Sequence, residues 1–385
     1  MSKIWIHNAR IVLANEMLQQ ASLLIEDGLI TAINPQTVTD AVEVVDARGR
    51  LLMPGLIDLH CDALEKEVEP RPNVHFPLDF AVAQADKRNA SSGITTVYHA
   101  IAFANDELGL RNNDFAAQIA RAVHDWAPHG LIDNRVHCRY EITDESGLPV
   151  LLDLLENDDI HLLSLMDHTP GQGQFKNMAA YRDYLARSYK KSEAELDDII
   201  DKKLGAAEGA FERVKTLIAA AHAKGVSVAS HDDDNRERVD TMSSLDVQIS
   251  EFPINMEAAS AARERGMSTV FGAPNILRGK SQSGSMKALD AIEAGVADCL
   301  CADYAPAALI VAVMNLPTLT DIDLAGAVRL VTLNPAKAAG LDDRGEIAVG
   351  KRADLIMVDT PAGLPQVGRV WLKGQTVYQG AYDHG

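Results

Sequence analysis

Met53-Pro54-Gly55-Leu56-Ile57-Asp58-Leu59-His60-Cys61-Asp62 is an apolar run that ends on an imidazole and a carboxylate two positions apart. Successive side chains of a strand point to opposite sides, so His60 and Asp62 share one side at its end, where together they can chelate a cation. A single histidine closing a core strand is more often a hydrogen-bonded core residue. The same kind of ending recurs along this chain, and the recurrence gives His60 a different meaning.

Working outward, strand-like apolar runs at 56–62, 94–101, 135–142, 162–166, 226–230, 247–252, 268–272 and 297–302 alternate with longer helical stretches. That alternation calls for parallel strands with helices outside them. Eight parallel strands close into a barrel whose site lies where the strands end and the loops to the helices begin. The fold class is thus read as α/β, a TIM-like (β/α)₈ barrel over residues 53–344. Residues 1–52 and 345–385 read instead as short strands, with turns at Glu26-Asp27-Gly28, Ala47-Arg48-Gly49 and Lys373-Gly374. Neither end can bury a core alone, so the two are expected to pair into one small β-sandwich domain. The oversized gap after the fourth run, 176–224, is rich in Ala, Glu, Lys and Leu, with Ser192 and Glu195 spaced as a capping box. It is expected to add helices as plain elaboration rather than as a lid.

Composition narrows the function. A formal net charge of −19 without any basic run of five or more argues against nucleic acid and anionic membranes as partners. No window reaches the ~18 uninterrupted apolar residues of a membrane-spanning helix, and Met1-Ser2-Lys3-Ile4 does not open a secretion signal, so a cytoplasmic location is expected. Cys61, Cys138, Cys299 and Cys301 sit inside apolar runs and read as reduced core thiols. A homo-oligomer is compatible with all of this.

The chemistry-bearing residues gather at the ends of the runs. His231 follows Val226-Ser227-Val228-Ala229-Ser230 and opens an acidic cluster in which Asp233 and Asp234 are expected to form a solvated helix cap. Asp303 follows the eighth run on the face of Cys301, where an unpaired carboxylate would be costly without a cation or a proton to hold. Glu141 closes Cys138-Arg139-Tyr140-Glu141, and His168 closes Leu165-Met166-Asp167-His168. A carboxylate has two oxygens and can bridge cations, which makes Glu141 the expected bridge, with Asp167 in support from the opposite side. His231 and Asp303 are the catalytic candidates. His99 and His137 lie within strand runs and are expected to be structural, and the sixth run ends on Glu251-Phe252-Pro253 with no histidine.

These residues resemble the amidohydrolase superfamily, in which a Pro-Gly-Leu-Ile-Asp strand leads into a metal-binding His-x-His or His-x-Asp and the eighth strand supplies an aspartate. The closing Gly345-Glu346-Ile347-Ala348-Val349-Gly350-Lys351-Arg352-Ala353-Asp354-Leu355 also resembles it. Within the superfamily, Glu69-Pro70-Arg71-Pro72, Ser164 to Gln172, Ser230-His231-Asp232-Asp233, Glu251-Phe252-Pro253 and Gly272 to Gly279 resemble the branch that cleaves α-D-ribose 1-methylphosphonate 5-triphosphate. The chain departs from that branch at Gln282, Ala302 and Ala305, around the expected substrate pocket.

The resemblance implies one or two divalent cations, zinc by preference, held by His60, Asp62, Glu141, His168, His231 and Asp303, with magnesium accompanying the substrate. The implied partner is a small phosphorylated sugar, bound by Lys66, Arg71, Arg139, Gln172, Arg278 and Lys280 and cleaved by activated water with loss of pyrophosphate. Two other readings share these residues: hydrolysis of an amide, acyl or amidine carbon, as in a deacetylase or deaminase, and a barrel that only binds or assembles.

Overall fold

The computed structural model describes residues 3–38, 43–105, 112–167, 205, 209–281 and 285–382. Five strands open the chain: β1 (Lys3–Val12), β2 (Met17–Glu26), β3 (Leu29–Ile33), β4 (Glu43–Asp46) and β5 (Leu51–Pro54). The barrel strands follow: β6 (Leu56–Cys61), β7 (Ile94–Phe103), β8 (Asp133–Glu141), β9 (Leu162–Met166), β10 (Ser227–His231), β11 (Ile249–Glu251), β12 (Ser268–Gly272) and β13 (Cys299–Cys301). Then come β14 (Leu355–Asp359), β15 (Gln366–Leu372) and β16 (Gln375–Gln379).

Strands β6 to β13 form one parallel sheet in chain order, each paired with the next. Each lies within two residues of its sequence-expected bounds. The two edge strands meet at one rim. There Asp303 N donates to His60 O at 2.9 Å and Asp62 N donates to Asp303 O at 2.8 Å, around a Cys61–Asp303 bridge. These bonds nearly close the ring, and they do so beside the residues that end its first and eighth strands.

Alternation along the strands divides two cores. Ile57, Leu59, Tyr98, Leu162, Ala229, Ile249, Val270, Cys299 and Cys301 pack together from strands all around the ring. Their sequence neighbours Leu163 and Val228 belong instead to a cluster shared with the helices Asn113–Trp126 and Ala210–Ala223. This is the period-two pattern of a sheet buried on both faces. The four cysteines are free and buried, as packing residues would be.

At the functional rim, strand ends lie level. His231 pairs with Glu251, and Gly272 pairs with Cys301. Helices restart soon after: Asn235 caps Arg236–Ser244 by accepting from Arg238 N, and Asn255 caps Met256–Glu264 by accepting from Ala258 N. Such side-chain caps satisfy backbone N–H groups that the first helical turn leaves without partners. At the opposite rim, buried Arg344 donates to Thr96 Oγ1 at 3.0 Å and pairs with Asp133 at the start of β8.

The two terminal segments share one mixed eight-stranded sheet, ordered β16-β15-β14-β5-β1-β2-β3, with β4 beside β1. The antiparallel β5–β14 pair, Leu51 to Pro54 against Leu355 to Val358, joins the N-terminal strands to the C-terminal ones. Ile6, Ile11, Leu23, Ile25, Leu52, Leu355 and Trp371 form its core. Most of the expected 176–224 insertion lies outside the described residues, and its described part includes the helix Ala210–Ala223. Among the described residues, no helix is long and apolar enough to cross a membrane.

Candidate metal centre

Glu251 organises the mouth of the barrel. Wholly buried at the end of β11, it places Oε1 3.2 Å from His60 Nδ1 and Oε2 3.3 Å from His231 Nδ1. Ser164 Oγ on β9 donates to Oε2 at 2.8 Å, and His137 Nε2 on β8 lies 3.7 Å from the same oxygen. One carboxylate thus gathers side chains from four other strands. His60 reaches it because the register of β6 against β7 shifts between Asp58 and Cys61. Such a bulge re-aims the side chains beyond it. Buried Asp58 accepts from the amides of His60 and Ala302, at 3.2 and 2.9 Å, which ties β6 to the end of β13.

His60, His231 and Glu251 each offer a donor atom, and the three atoms lie within 4.8 Å of one another. Two imidazoles and a carboxylate are the donor chemistry of a zinc-like divalent ion. His137 adds an independent indication. Its Nδ1 lies 3.0 Å from the carbonyl of Leu59, which assigns the ring proton there and turns the Nε2 lone pair towards the carboxylate of Glu251. Nε2 is buried and has no hydrogen-bond partner among the described residues. Acceptors facing each other in a buried site call for a cation or a proton between them.

The electrostatics agree. Burial opposes the charge on His60, yet the carboxylates of Glu251 and Asp62 outweigh it and raise its pKa to about 10. Burial brings His137 down to about 3, which keeps that ring neutral. Asp303 is raised, first by burial and then by the neighbouring Asp62. One expectation concerns cation binding. In protein stripped of divalent ions, His60 keeps its proton up to about pH 10, so a cation binding at His60 must displace that proton. Apparent zinc affinity then falls by about tenfold per unit as pH drops below that value. Zinc titrations in buffers of different protonation enthalpy measure the release directly, and a titration that frees no proton contradicts this assignment.

Above the cluster opens a cavity of about 410 Å³, lined by His60, Asp62, Arg139, His231, Arg278, Lys280 and Asp303 among others. Asp62 Oδ1 lies 3.4 Å from His60 Nε2 and 3.2 Å from an Arg139 nitrogen. Phe252 packs edge-on against His60 and His231, with ring centroids 5.0 and 5.3 Å away. Asp232, Phe252 and Asp303 all take left-handed φ, of 56°, 51° and 54°. Non-glycine residues adopt that region at a cost, and such positions concentrate at functional sites.

Of the expected ligands, His60, Asp62, His231 and Asp303 meet in this cavity. Glu141 does not line it. A strand advances ~3.3 Å per residue, so Glu141 sits ~6.6 Å beyond Arg139, the β8 residue that lines the cavity. There Thr143 Oγ1 donates to Glu141 at 2.8 Å. His168 and Gln172 lie outside the described residues, as does Gln282.

Arg139, Arg278 and Lys280 line the cavity, whereas Lys66 and Arg71 do not. Lys66 is exposed on the helix Ala63–Val68, and Arg71 is exposed in the following turn. The expectation of a solvated cap at Asp233 and Asp234 is overturned, because both are buried. Asp233 Oδ2 accepts from Ser230 Oγ and Ser250 Oγ, each at 2.6 Å, and so clamps β10 to β11 directly beneath His231 and Glu251. Arg238 bonds Asp167 at 2.7 Å and lies 3.6 Å from Asp233.

Glu251 and His137 are the residues that sequence reasoning passed over. Glu251 ends its strand as His231 does, and that position is the signal that could have found it. His137 shares the parity of Arg139 and Glu141 on β8.

The sequence profile of the Amidohydrolase family matches residues 51–377. The chain belongs to the amidohydrolase family. It is 35% identical over 378 residues, 97% of this chain and 100% of the relative, to the alpha-D-ribose 1-methylphosphonate 5-triphosphate diphosphatase of Escherichia coli. It is 24% identical over 412 residues to an imidazolonepropionase of Micrococcus luteus, covering 93% of this chain and 94% of that one. The crystal structure of an N-acetyl-D-glucosamine-6-phosphate deacetylase from Mycobacterium smegmatis superposes with a TM-score of 0.66 at 15% identity, over 98% of this chain and 100% of that chain, a likeness of fold alone. The protein is a metal-dependent hydrolase of this family. Its amidohydrolase mouth carries Glu251 on the sixth barrel strand, with imidazoles from the first and fifth strands bonded to it.

Proposed function

We propose that this amidohydrolase hydrolyses α-D-ribose 1-methylphosphonate 5-triphosphate between its α- and β-phosphates, giving the 5-phosphate and pyrophosphate. The observation that carries the reading is one cavity that combines the His60–His231–Glu251 donor group with the cationic side chains of Arg139, Arg278 and Lys280. Full-length similarity to the diphosphatase of Escherichia coli supports the same substrate.

The residues that would hold a divalent cation are His60, His231 and Glu251, with Asp62 and Asp303 beside them, and the imidazole content favours zinc. A cation bound there supplies Lewis acidity, acidifying water and polarising a phosphoryl oxygen. Asp303 takes the proton of the water that attacks the α-phosphorus. Its raised pKa makes it a better proton acceptor than an ordinary carboxylate. The bond to the β-phosphate oxygen breaks as the new P–O bond forms, and charge builds on departing pyrophosphate. Arg278, the last residue of the helix Ala273–Arg278 that follows β12, and Lys280 just beyond it face that charge from the rim, and Tyr304 Oη accepts from Arg278 at 3.3 Å. Glu251 keeps both imidazoles in place throughout.

Purified protein offered this triphosphate beside ordinary nucleoside triphosphates should release pyrophosphate from the former, and a chelator should abolish the release. Absence of pyrophosphate with metal-loaded protein, together with cleavage of an amide or N-acetyl substrate, would transfer the site to carbonyl chemistry. Arg278→Ala is expected to reduce kcat/KM for the triphosphate by about tenfold, the weight of one charge-assisted contact at an exposed position. Metal content should not change. Kinetics equal to wild type would remove Arg278 from the phosphate site.

A further inference from the structure

Of the three cationic side chains that line the cavity, Arg139 stands among the cation-site residues themselves. Arg139 rises from β8 between two of the cation-site residues, with one terminal nitrogen 3.2 Å from Asp62 Oδ1 and the other 3.4 Å from His231 Nε2. Its side chain is 11% exposed and lines the cavity. His231 is therefore engaged on both ring nitrogens, by Glu251 at Nδ1 and by Arg139 at Nε2. Asp62 is likewise shared between His60 and Arg139.

We infer that the site takes a single divalent ion per chain, and that the guanidinium of Arg139 supplies the second positive charge where a second ion would otherwise bind. A second ion on the far side of the cavity from Glu251 would draw on Asp62 and His231 Nε2, and among the described residues both already face the guanidinium. Arginine cannot give up its charge by losing a proton, so a dication close to it meets repulsion twice that between unit charges. A planar fork with several N–H donors is also suited to a phosphoryl group, which it can hold by two oxygens at once. Arg139 thus touches the transferring phosphoryl group as its fixed counter-charge. This assignment rests on the phosphoryl-transfer reading above for the role of Arg139, whereas the count of ions stands independently of any substrate.

The test joins a stoichiometry to a rate. Wild-type protein, Arg139→Met and Arg139→Lys are incubated with excess zinc, desalted, and analysed for zinc per folded chain by elemental and native mass spectrometry. Wild type and Arg139→Lys are expected to retain one ion. Pyrophosphate release by Arg139→Met is expected to fall by about 10²-fold, the scale of losing one preorganised charge partner, with partial recovery in Arg139→Lys. Any wild-type stoichiometry other than one ion overturns the proposal, as does undiminished turnover in Arg139→Met. If Arg139→Met does not fold, the wild-type count and the turnover of Arg139→Lys decide: activity unchanged by lysine overturns the forked contact. Failure of the substrate reading looks different, because wild type would then release no pyrophosphate while its zinc count remained measurable.

Discussion

Glu251→Gln lowers turnover on the order of 10³-fold and strips the site of most of its divalent ion, since a bound Lewis acid contributes several kcal/mol and each 1.4 kcal/mol is tenfold in rate. The substitution keeps the shape of the side chain and removes its charge. That charge is what holds His60 and His231, from β6 and β10, against one acceptor on β11. An amide there can accept at one atom but must donate at the other. One imidazole is then left facing an N–H group in a position that is wholly buried. The same change frees His60 from the principal carboxylate that raises its pKa, so the ion-free variant should hold the His60 proton less tightly. Elemental analysis of the purified variant and its kcat are the two measurements. Retention of both at wild-type levels would show that Glu251 merely packs beneath the site.

Asp303→Asn is expected to separate chemistry from metal binding. General-base assistance is worth ~10²- to 10⁴-fold, and the amide removes it. His60, His231 and Glu251 remain, so the ion should stay bound. Asp303 N and O also pair with β6 through backbone atoms, which the substitution leaves intact. The pH profile carries the sharper evidence. A carboxylate whose pKa is raised is protonated, and useless as a base, up to a higher pH than usual, so wild-type kcat/KM climbs as pH rises through that value. The variant should lose this acid limb and run flat at its lower rate. An acid limb that persists unchanged in Asp303→Asn would assign the proton transfer elsewhere.

His60, Asp62, His231 and Asp303 were legible in the sequence because each interrupts an apolar run at its C-terminal end, where a buried strand gives way to a loop. The eight runs were legible for the same reason, and their observed bounds differ from the reading by two residues at most. Glu141 satisfied the same rule and yet lies apart from the donor cluster, beside Thr143. A linear pattern gives parity along a strand, but it does not say how far each strand projects at the rim. Asp233 shows a related limit. In sequence it is one of three consecutive acidic residues and reads as solvated, whereas in the fold it takes two serine hydroxyls and is buried.

What the sequence alone determined was the alternation of parallel strands and helices, the pairing of its two strand-rich ends, and the residue types presented at the strand ends. These follow from local period and polarity, which each segment carries within itself. That the two ends share one mixed sheet is a finding of the structure. Only the tertiary structure decided that Glu251 stands between His60 and His231, that His137 turns a lone pair towards it, and that Arg139 spans Asp62 and His231. Those relations connect strands far apart in the chain, and they depend on register, on one bulge in β6 and on the closure of the ring, all set by the packing of the whole barrel.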